Sequence, residues 1–201
     1  MTEKERLTDR KRAAIIDAAV KEFLANGYKY TSMDRIAKTA DVSKRTVYKH
    51  FSSKEALFKS ILLIFAEESM QIQMDYDPDR SLAEQLKEFA FNKIKLIESE
   101  SYTNLLRLAL AECIRSPELA LSTLAEKREF HLGLTEWIEK GVEDGRLNID
   151  NPVLASEQFI SLFKNFFFWP AIMQCPSPFL ANKDEVIDSA ISMFLNQYEV
   201  K

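Results

Sequence analysis

The sequence TSMDRIAKTADVSKRTVYKHFSSK, residues 31–54, predicts two short helices joined by a tight turn. In its first half, apolar residues recur with the spacing of a single helix face, at Met33, Ile36, Ala37 and Ala40. Thr31 precedes this face and Asp34 follows three positions later, which is the residue pattern of a helix start. The pattern stops at Ala40, so the first helix is expected to be short.

The second half of the stretch predicts a basic helix after a break. Asp41 stands where a left-handed backbone is often needed, and Asp adopts that conformation more readily than most residues. Ser43 can cap the helix that follows, residues 44–50, with Val47 on its inner side. The outer side carries Lys44, Arg45, Thr46, Tyr48, Lys49 and His50. Two such helices form a helix-turn-helix, whose second helix enters the DNA major groove.

From Thr31 to Phe58 the chain resembles the DNA-binding segment of the TetR family of bacterial transcriptional regulators. The matching residues are Thr31, Ser32, Ile36, Ala37, Tyr48, Phe51, Lys54, Glu55 and Leu57. Asp41 departs from the family pattern, since many members have glycine there. The resemblance implies an all-α protein that combines an N-terminal three-helix DNA-binding domain with a C-terminal helical domain for ligand binding and dimerisation.

The outer side of the second helix supplies the predicted DNA contacts. Arg45, Thr46 and Lys49 are predicted to read base edges, because Arg and Lys pair with guanine acceptors and the Thr methyl contacts thymine. The family resemblance implies phosphate contacts for Thr31, Tyr48, His50 and Lys54, which position a protein without specifying sequence. The whole predicted set is Thr31, Ser32, Ser43, Lys44, Arg45, Thr46, Tyr48, Lys49, His50 and Lys54. For each residue the alternative is an ordinary solvated surface position.

The charge distribution agrees with a protein that touches DNA at one end. The net charge of the 201 residues is -4, yet the first 60 residues contain 14 Lys and Arg against 8 Asp and Glu. The excess of acidic residues is therefore confined to the rest of the chain. Only two cysteines, Cys113 and Cys175, are present, and they suit a reducing cytoplasm better than a disulfide framework. Neither a signal peptide nor a membrane span is predicted.

Helical periodicity and its breaks predict about nine helices. The first is expected from about Thr8 to Asn26, after a charged lead-in at Lys4–Lys11 that either lies near the DNA backbone or frays. A fourth should start at Ser52 or Ser53 and reach about Met74. Later helices are expected at about residues 82–99, 103–115, 118–143, 153–174 and 183–198. We place the domain boundary inside the fourth helix, which gives a DNA-binding domain at residues 1–58 and a ligand-binding and dimerisation domain at 59–201.

Partners of the second domain follow from the resemblance and from its apolar residues. Residues 153–169 carry more large apolar side chains than one core face needs, which predicts a homodimer through the last two helices, with filling of the protomer core as the alternative. The family binds a small effector, and soft aromatic side chains favour an apolar or aromatic one. The candidate pocket residues are Phe65, Met70, Met74, Phe89, Leu105, Leu108, Glu112, Phe130, His131, Trp137 and Phe166.

Other functional classes have less support in the sequence. No phosphate-binding loop, nucleophile motif or metal-ligand cluster is present, so neither an enzyme nor a metal or other cofactor is expected. Non-specific binding to nucleic acid or to a membrane surface is the stronger rival, and it would show no preferred DNA sequence. A regulator controlled by a protein partner is a third possibility. Repression of transcription is the default of the family.

Overall fold

The computed structural model describes residues 3–70, 74–115, 132–175 and 177–201. Within these ranges the chain forms nine α-helices, one short 3₁₀ turn at Leu180–Asn182 and one isolated β-bridge between Leu147 and Glu199. The all-α prediction is therefore confirmed. Among the described helices, none combines the length and the apolar character needed to cross a bilayer.

The helices of the described ranges are numbered in chain order. They are α1 (Glu3–Asn26), α2 (Met33–Thr39), α3 (Lys44–His50), α4 (Lys54–Met70), α5 (Leu82–Glu98), α6 (Glu100–Arg115), α7 (Leu132–Glu143), α8 (Pro152–Met173) and α9 (Lys183–Tyr198). The bounds of α3 and α9 are those predicted. By contrast α1 begins at Glu3, not at Thr8, so the charged lead-in continues the helix. The predicted seventh helix is described only in its second half.

The described residues fall into two compact units. The first contains Met1–Phe65 and Asn104–Lys127, and the second contains Ala66–Thr103 and Arg128–Lys201. Helices α4 and α6 therefore each contribute residues to both units. The domain boundary inside the fourth helix, which rested on sequence, stays a prediction.

An apolar face of α1 forms the base of the first unit. Ile15, Ala19 and Phe23 are buried there, and Gly27 ends the helix with a left-handed φ of 79°. The amide of Gly27 still donates to the Phe23 carbonyl at 2.8 Å, which closes the last turn. Phe23, Tyr28 and Phe58 then pack ring against ring, and this cluster joins α1 to the start of α4.

The second unit has a single apolar core made by four helices. Its large buried side chains include Leu86, Phe89 and Ile94 of α5, Trp137 and Ile138 of α7, Phe159, Phe163 and Phe167 of α8, and Ile187 and Phe194 of α9. A buried amide, Gln85, fastens the segment that precedes α5. Its oxygen accepts from Trp137 Nε1 and from the Asp77 amide, both at 2.9 Å, and its nitrogen donates to the Asp77 carbonyl at 2.8 Å.

The connection between α7 and α8 is also held by specific contacts. Gly145 has a left-handed φ of 72°, which glycine adopts without strain. A Cβ on Gly141 would come within 2.7 Å of Leu147, a buried residue, so the small residue permits close packing. Arg146 donates to the carbonyls of Pro78 and Arg80 at 3.1 and 2.9 Å. This turn therefore ties the segment before α5 to the segment before α8.

A lysine lies among the buried side chains of the second unit. Lys93 of α5 is only 9% exposed, and its ammonium lies 5.5 Å from the centroid of the Phe89 ring. Burial lowers its pKa from 10.5 to about 8, because a charged ammonium is poorly solvated there. The sequence analysis did not single out this position.

Replacing Lys93 with Met is predicted to change how stability depends on pH. Between pH 8 and 10.5 the folded wild type loses a proton that the unfolded chain keeps, so its free energy of unfolding should rise relative to Lys93→Met. The expected gain is roughly 2–3 kcal/mol across that window. Urea unfolding of both proteins at several pH values measures it. Lys95→Met, at an exposed position on the same helix, is the control, and an equal pH profile for both variants would contradict the assignment.

Candidate nucleic-acid interface

The turn between α2 and α3 has the backbone conformation that the sequence predicted. Asp41 has a φ of 52°, in the left-handed region, which confirms that expectation. The Val42 amide donates to the Ala37 carbonyl at 3.0 Å, so the chain reverses tightly over the end of α2. Ala37 is buried, as expected for a small residue where one helix crosses another. The turn therefore sets the direction in which α3 leaves.

Helix α3 is held by the residue that precedes it and by one buried side chain. Ser43 caps it, since the Ser43 hydroxyl accepts from the Thr46 amide at 3.1 Å. Val47 is the buried residue of the helix. On the other side Lys44, Arg45 and Lys49 are exposed, and Tyr48 is 45% exposed. The predicted outward face is thus present, and its basic side chains lie in solvent.

On α3 itself, two members of the predicted set are less exposed than the others. Thr46 is half-buried, and its hydroxyl lies 2.8 Å from that of Ser43. His50 is half-buried next to the Phe51 ring, with 6.4 Å between the ring centroids. Burial, followed by the nearby positive charges of Lys49, Arg12 and Lys11, lowers the pKa of His50 below 6.5. The surroundings of His50 therefore favour the neutral imidazole.

The end of α3 lies beside basic residues of α1. The guanidinium of Arg12 lies 5.3 Å from the centroid of the Phe51 ring, a cation–π distance. Lys11 and Arg12 are both close enough to His50 to act on its pKa. The sequence analysis placed Lys11 in a lead-in and did not single out Arg12. Only the packing of α1 against the end of α3 reveals that their charges join the same surface.

Thr31 has its polar partners inside the unit. It is only 2% exposed, and its hydroxyl donates to the carbonyls of Glu22 and Gly27, both at 3.0 Å. Ser32, one residue later, caps α2 by accepting from the Arg35 amide at 3.2 Å. Thr31 therefore joins α1 to the start of α2, and Ser32 is the hydroxyl that remains at the surface.

Lys54 also has partners inside the unit. Its ammonium donates to the carbonyls of Tyr28, Thr31 and Lys29 at 2.8, 3.0 and 3.3 Å. The same nitrogen lies 4.5 Å from the centroid of the Tyr28 ring. An ammonium has three donors, and three carbonyls occupy them. In this structure Lys54 fastens the α1–α2 connection to the start of α4 and has no donor left for a phosphate.

Glu22 is a further residue that the sequence analysis missed. Its carboxylate forms an ion pair with Arg35 Nε at 2.5 Å, and it accepts from the Thr39 hydroxyl at 2.6 Å and from the side-chain amide of Asn26 at 2.9 Å. Arg35 and Thr39 both belong to α2, so a single side chain of α1 fixes the position of the whole short helix. Its residue type alone carries no such signal, because an acidic residue on α1 is usually solvated.

The predicted effector pocket is described only in part. Phe130 and His131 lie outside the described residues, as do the side chains of Phe65 and Met70. Phe89 and Trp137 are buried in the core of the second unit, and Met74 and Phe166 pack partly against that core. Leu105, Leu108 and Glu112 are buried residues of α6 that belong to the first unit. The described members are therefore packed side chains, and their role as a pocket stays a prediction.

Two protein families match the chain. Residues 15–61 match the family described as bacterial regulatory proteins, tetR family. Residues 84–200 match the family described as AefR-like transcriptional repressor, C-terminal domain. The first match covers α2, α3 and the second half of α1, and the second covers more than half of the chain.

Individual proteins show the same likeness over most of the chain. A TetR family transcriptional regulator from Pseudomonas syringae pv. tomato str. DC3000 is 37% identical, with both chains covered completely and a TM-score of 0.82. The flavonoid-responsive regulator FrrA is 28% identical over 96% of this chain and 99% of its own, with a TM-score of 0.79. The uncharacterized HTH-type transcriptional regulator YhgD of Bacillus subtilis (strain 168) is 27% identical over 80% of this chain and 83% of its own.

Substitutions at Asp41 are predicted to follow the conformational preference of its left-handed backbone. Asp41→Gly should keep the free energy of unfolding or raise it by up to about 1 kcal/mol, because glycine adopts a positive φ without strain. Asp41→Val should lower it by about 1–2 kcal/mol. Urea unfolding measures both changes. Asp150, which lacks a positive φ, supplies the control substitutions. Equal stability of the Gly and Val variants at position 41 would show that the turn does not need this conformation.

Proposed function

We propose that the chain, which belongs to the TetR family of bacterial transcriptional regulators, is a repressor that binds a palindromic operator as a dimer. In this proposal the repressor leaves the operator when a small apolar or aromatic effector binds. As a DNA-binding regulator it is proposed to act in the cytoplasm. The observation that carries the proposal is the outward face of α3, where Arg45, Tyr48 and Lys49 are exposed on a helix whose inner residue, Val47, is buried.

Base reading is assigned to Arg45, Thr46 and Lys49. Among the described residues, neither Arg45 nor Lys49 forms an ion pair, so their charged groups can turn to guanine acceptors in the major groove. Thr46 directs its hydroxyl at Ser43, and its methyl is proposed to contact a thymine methyl. This allocation keeps the assignment made from sequence.

Phosphate contacts are proposed from Ser32, Ser43, Tyr48 and the basic start of α1. Arg12 and Lys11 lie beside the end of α3 and extend its positive surface. His50 can hydrogen-bond to a phosphate as a neutral imidazole. We assign Thr31 and Lys54 to the support of the unit, because their polar groups already have protein partners.

A dimer is proposed because one recognition helix reads too few base pairs to select an operator. Two copies of α3 would enter the major groove about 34–36 Å apart, or a multiple of that distance. In α8, Phe159, Phe163 and Phe167 fill the core of the protomer. Large apolar side chains nevertheless remain exposed on the last two helices, among them Leu154 at 53%, Trp169 at 44% and Met193 at 52%. These exposed apolar side chains support the proposal that α8 and α9 form the dimer interface.

The roles proposed for the two parts of the chain follow the distribution of charge along the sequence. We assign DNA binding to residues 1–58, which include the positively charged segment, and effector binding and dimerisation to residues 59–201. The separate family matches at 15–61 and 84–200 support this division. An aromatic effector is supported by the phenylalanine-rich second unit and by the similarity to a regulator named as flavonoid-responsive.

Arg45→Ala is predicted to lower sequence preference more than general DNA affinity. The operator for this test is a duplex selected from random sequences by the wild-type protein. Loss of a bidentate guanine contact should weaken operator binding by about 10- to 100-fold and random-sequence binding by only a few fold. Fluorescence anisotropy at one salt concentration measures both constants. Lys38→Ala, which removes an exposed charge from α2, should reduce both affinities by a similar small factor. An equal loss on both duplexes in Arg45→Ala would refute base reading by Arg45.

The double variant Leu154→Glu, Met193→Glu is predicted to be a folded monomer. Both side chains are exposed in the protomer, so carboxylates there leave its core intact but oppose an apolar interface. Sedimentation velocity at about 10 μM should give a dimer for the wild type and a monomer for the variant, with unchanged circular dichroism. Ile114→Glu, at an exposed apolar position of α6, should remain dimeric. A monomeric wild type would refute the dimer.

A further inference from the structure

An exposed ion pair joins the two helices of the helix-turn-helix. The ammonium of Lys44, at the start of α3, lies 2.7 Å from Oδ1 and 2.9 Å from Oδ2 of Asp34, in the first turn of α2. Both side chains are well exposed, Lys44 at 60% and Asp34 at 61%. Exposed pairs of this kind contribute little to stability. The pair therefore needs an explanation other than holding the two helices together.

The position of the pair places a negative charge on the DNA-facing surface. The ammonium of Lys44 lies 6.0 Å from the centroid of the Tyr48 ring, on the side of α3 that carries Arg45 and Lys49. Asp34 reaches this surface from α2, so its carboxylate would approach the phosphates. A carboxylate there has two effects. It repels phosphate, and it neutralises the Lys44 charge that would otherwise attract phosphate.

We propose that Asp34 is a specificity-determining residue, which weakens binding to DNA of arbitrary sequence by pairing with Lys44. The inference rests on the proposed function. On random DNA nearly all affinity comes from phosphate contacts, so withdrawal of one cation per protomer lowers it directly. On the operator, base contacts by Arg45 and Lys49 hold the helix in one orientation, and affinity depends less on Lys44. Asp34 thereby increases the ratio of the affinity for the operator to the affinity for random DNA.

Asp34→Asn tests the proposal, because it keeps the size of the side chain and removes its charge. Binding to the selected operator and to a random duplex of equal length is measured over about 50–300 mM KCl. The expected result is a gain of about 3- to 10-fold on random DNA, with a steeper salt dependence by about two ions per dimer, and a gain below about twofold on the operator. Asp17→Asn, an exposed acidic residue of α1, controls for net charge and should change both affinities little.

Comparing Lys44→Met with Lys49→Met distinguishes the effect of the Asp34–Lys44 pair from the effect of losing any one positive charge. Since Lys44 is already neutralised, Lys44→Met should weaken random-DNA binding less than Lys49→Met does. In a double-mutant cycle, Asp34→Asn should have a smaller effect once Lys44 is Met, because only the direct repulsion of phosphate by Asp34 is then left to remove. If the ratio of operator to random affinity is the same in Asp34→Asn as in the wild type, or if Lys44→Met costs as much affinity as Lys49→Met, the proposal is wrong. This second comparison stands even if Asp34→Asn does not fold.

The failure of this inference is distinguishable from failure of the proposed function. A wild-type protein that binds all duplexes equally overturns both, because there is then no specificity for Asp34 to determine. A wild-type protein that prefers its selected duplex, with an unchanged ratio in Asp34→Asn, overturns the role of Asp34 alone.

Discussion

Helix α3 has only seven residues and needs support from its neighbours. This need is the constraint on which the rest of the first unit depends. A helix as short as α3 is not stable alone in water, because its few hydrogen bonds do not repay the ordering of its backbone. Here it has one buried side chain, Val47, and one cap, Ser43. Four of its other side chains, Lys44, Arg45, Tyr48 and Lys49, are therefore exposed. The consequence is that its orientation must come from elements that do not themselves touch bases.

Those elements form a chain of polar contacts behind the recognition helix. Glu22 of α1 fixes α2 through Arg35 and Thr39, and Asp41 turns the chain from α2 into α3. Lys54 then binds three carbonyls and joins the start of α4 to the α1–α2 connection. Backbone carbonyls that end a helix or form a turn need partners, and here a cation provides them. Basic residues of the first unit thus divide into those that hold the fold and those that face outward.

This division explains how much the sequence could predict. The bounds of α3 followed from local signals, a serine cap and one inward apolar residue, and these signals do not depend on distant contacts. Thr31 and Ser32 are adjacent hydroxyl residues that can both cap a helix, and only the position of α1 decides that Thr31 is the buried one. The partners of Lys54 are carbonyls that converge in space, which no residue pattern records. Lys93 was missed because a lysine is usually exposed, and its burial depends on the packing around α5.

Electrostatics connects the fold of the first unit with its function. If every cation of this surface were unpaired, the protein would bind phosphates of any sequence strongly and would spend its time on non-specific sites. Glu22 pairs with Arg35 and Asp34 pairs with Lys44, so two cations of α2 and α3 are neutralised within the protein. Arg45 and Lys49 form no ion pair within the described parts of the chain, and they lie on the exposed face of α3 to which base reading is assigned as a proposal. We therefore propose that the acidic residues near the interface favour sequence reading, because they reduce the attraction that every DNA sequence shares.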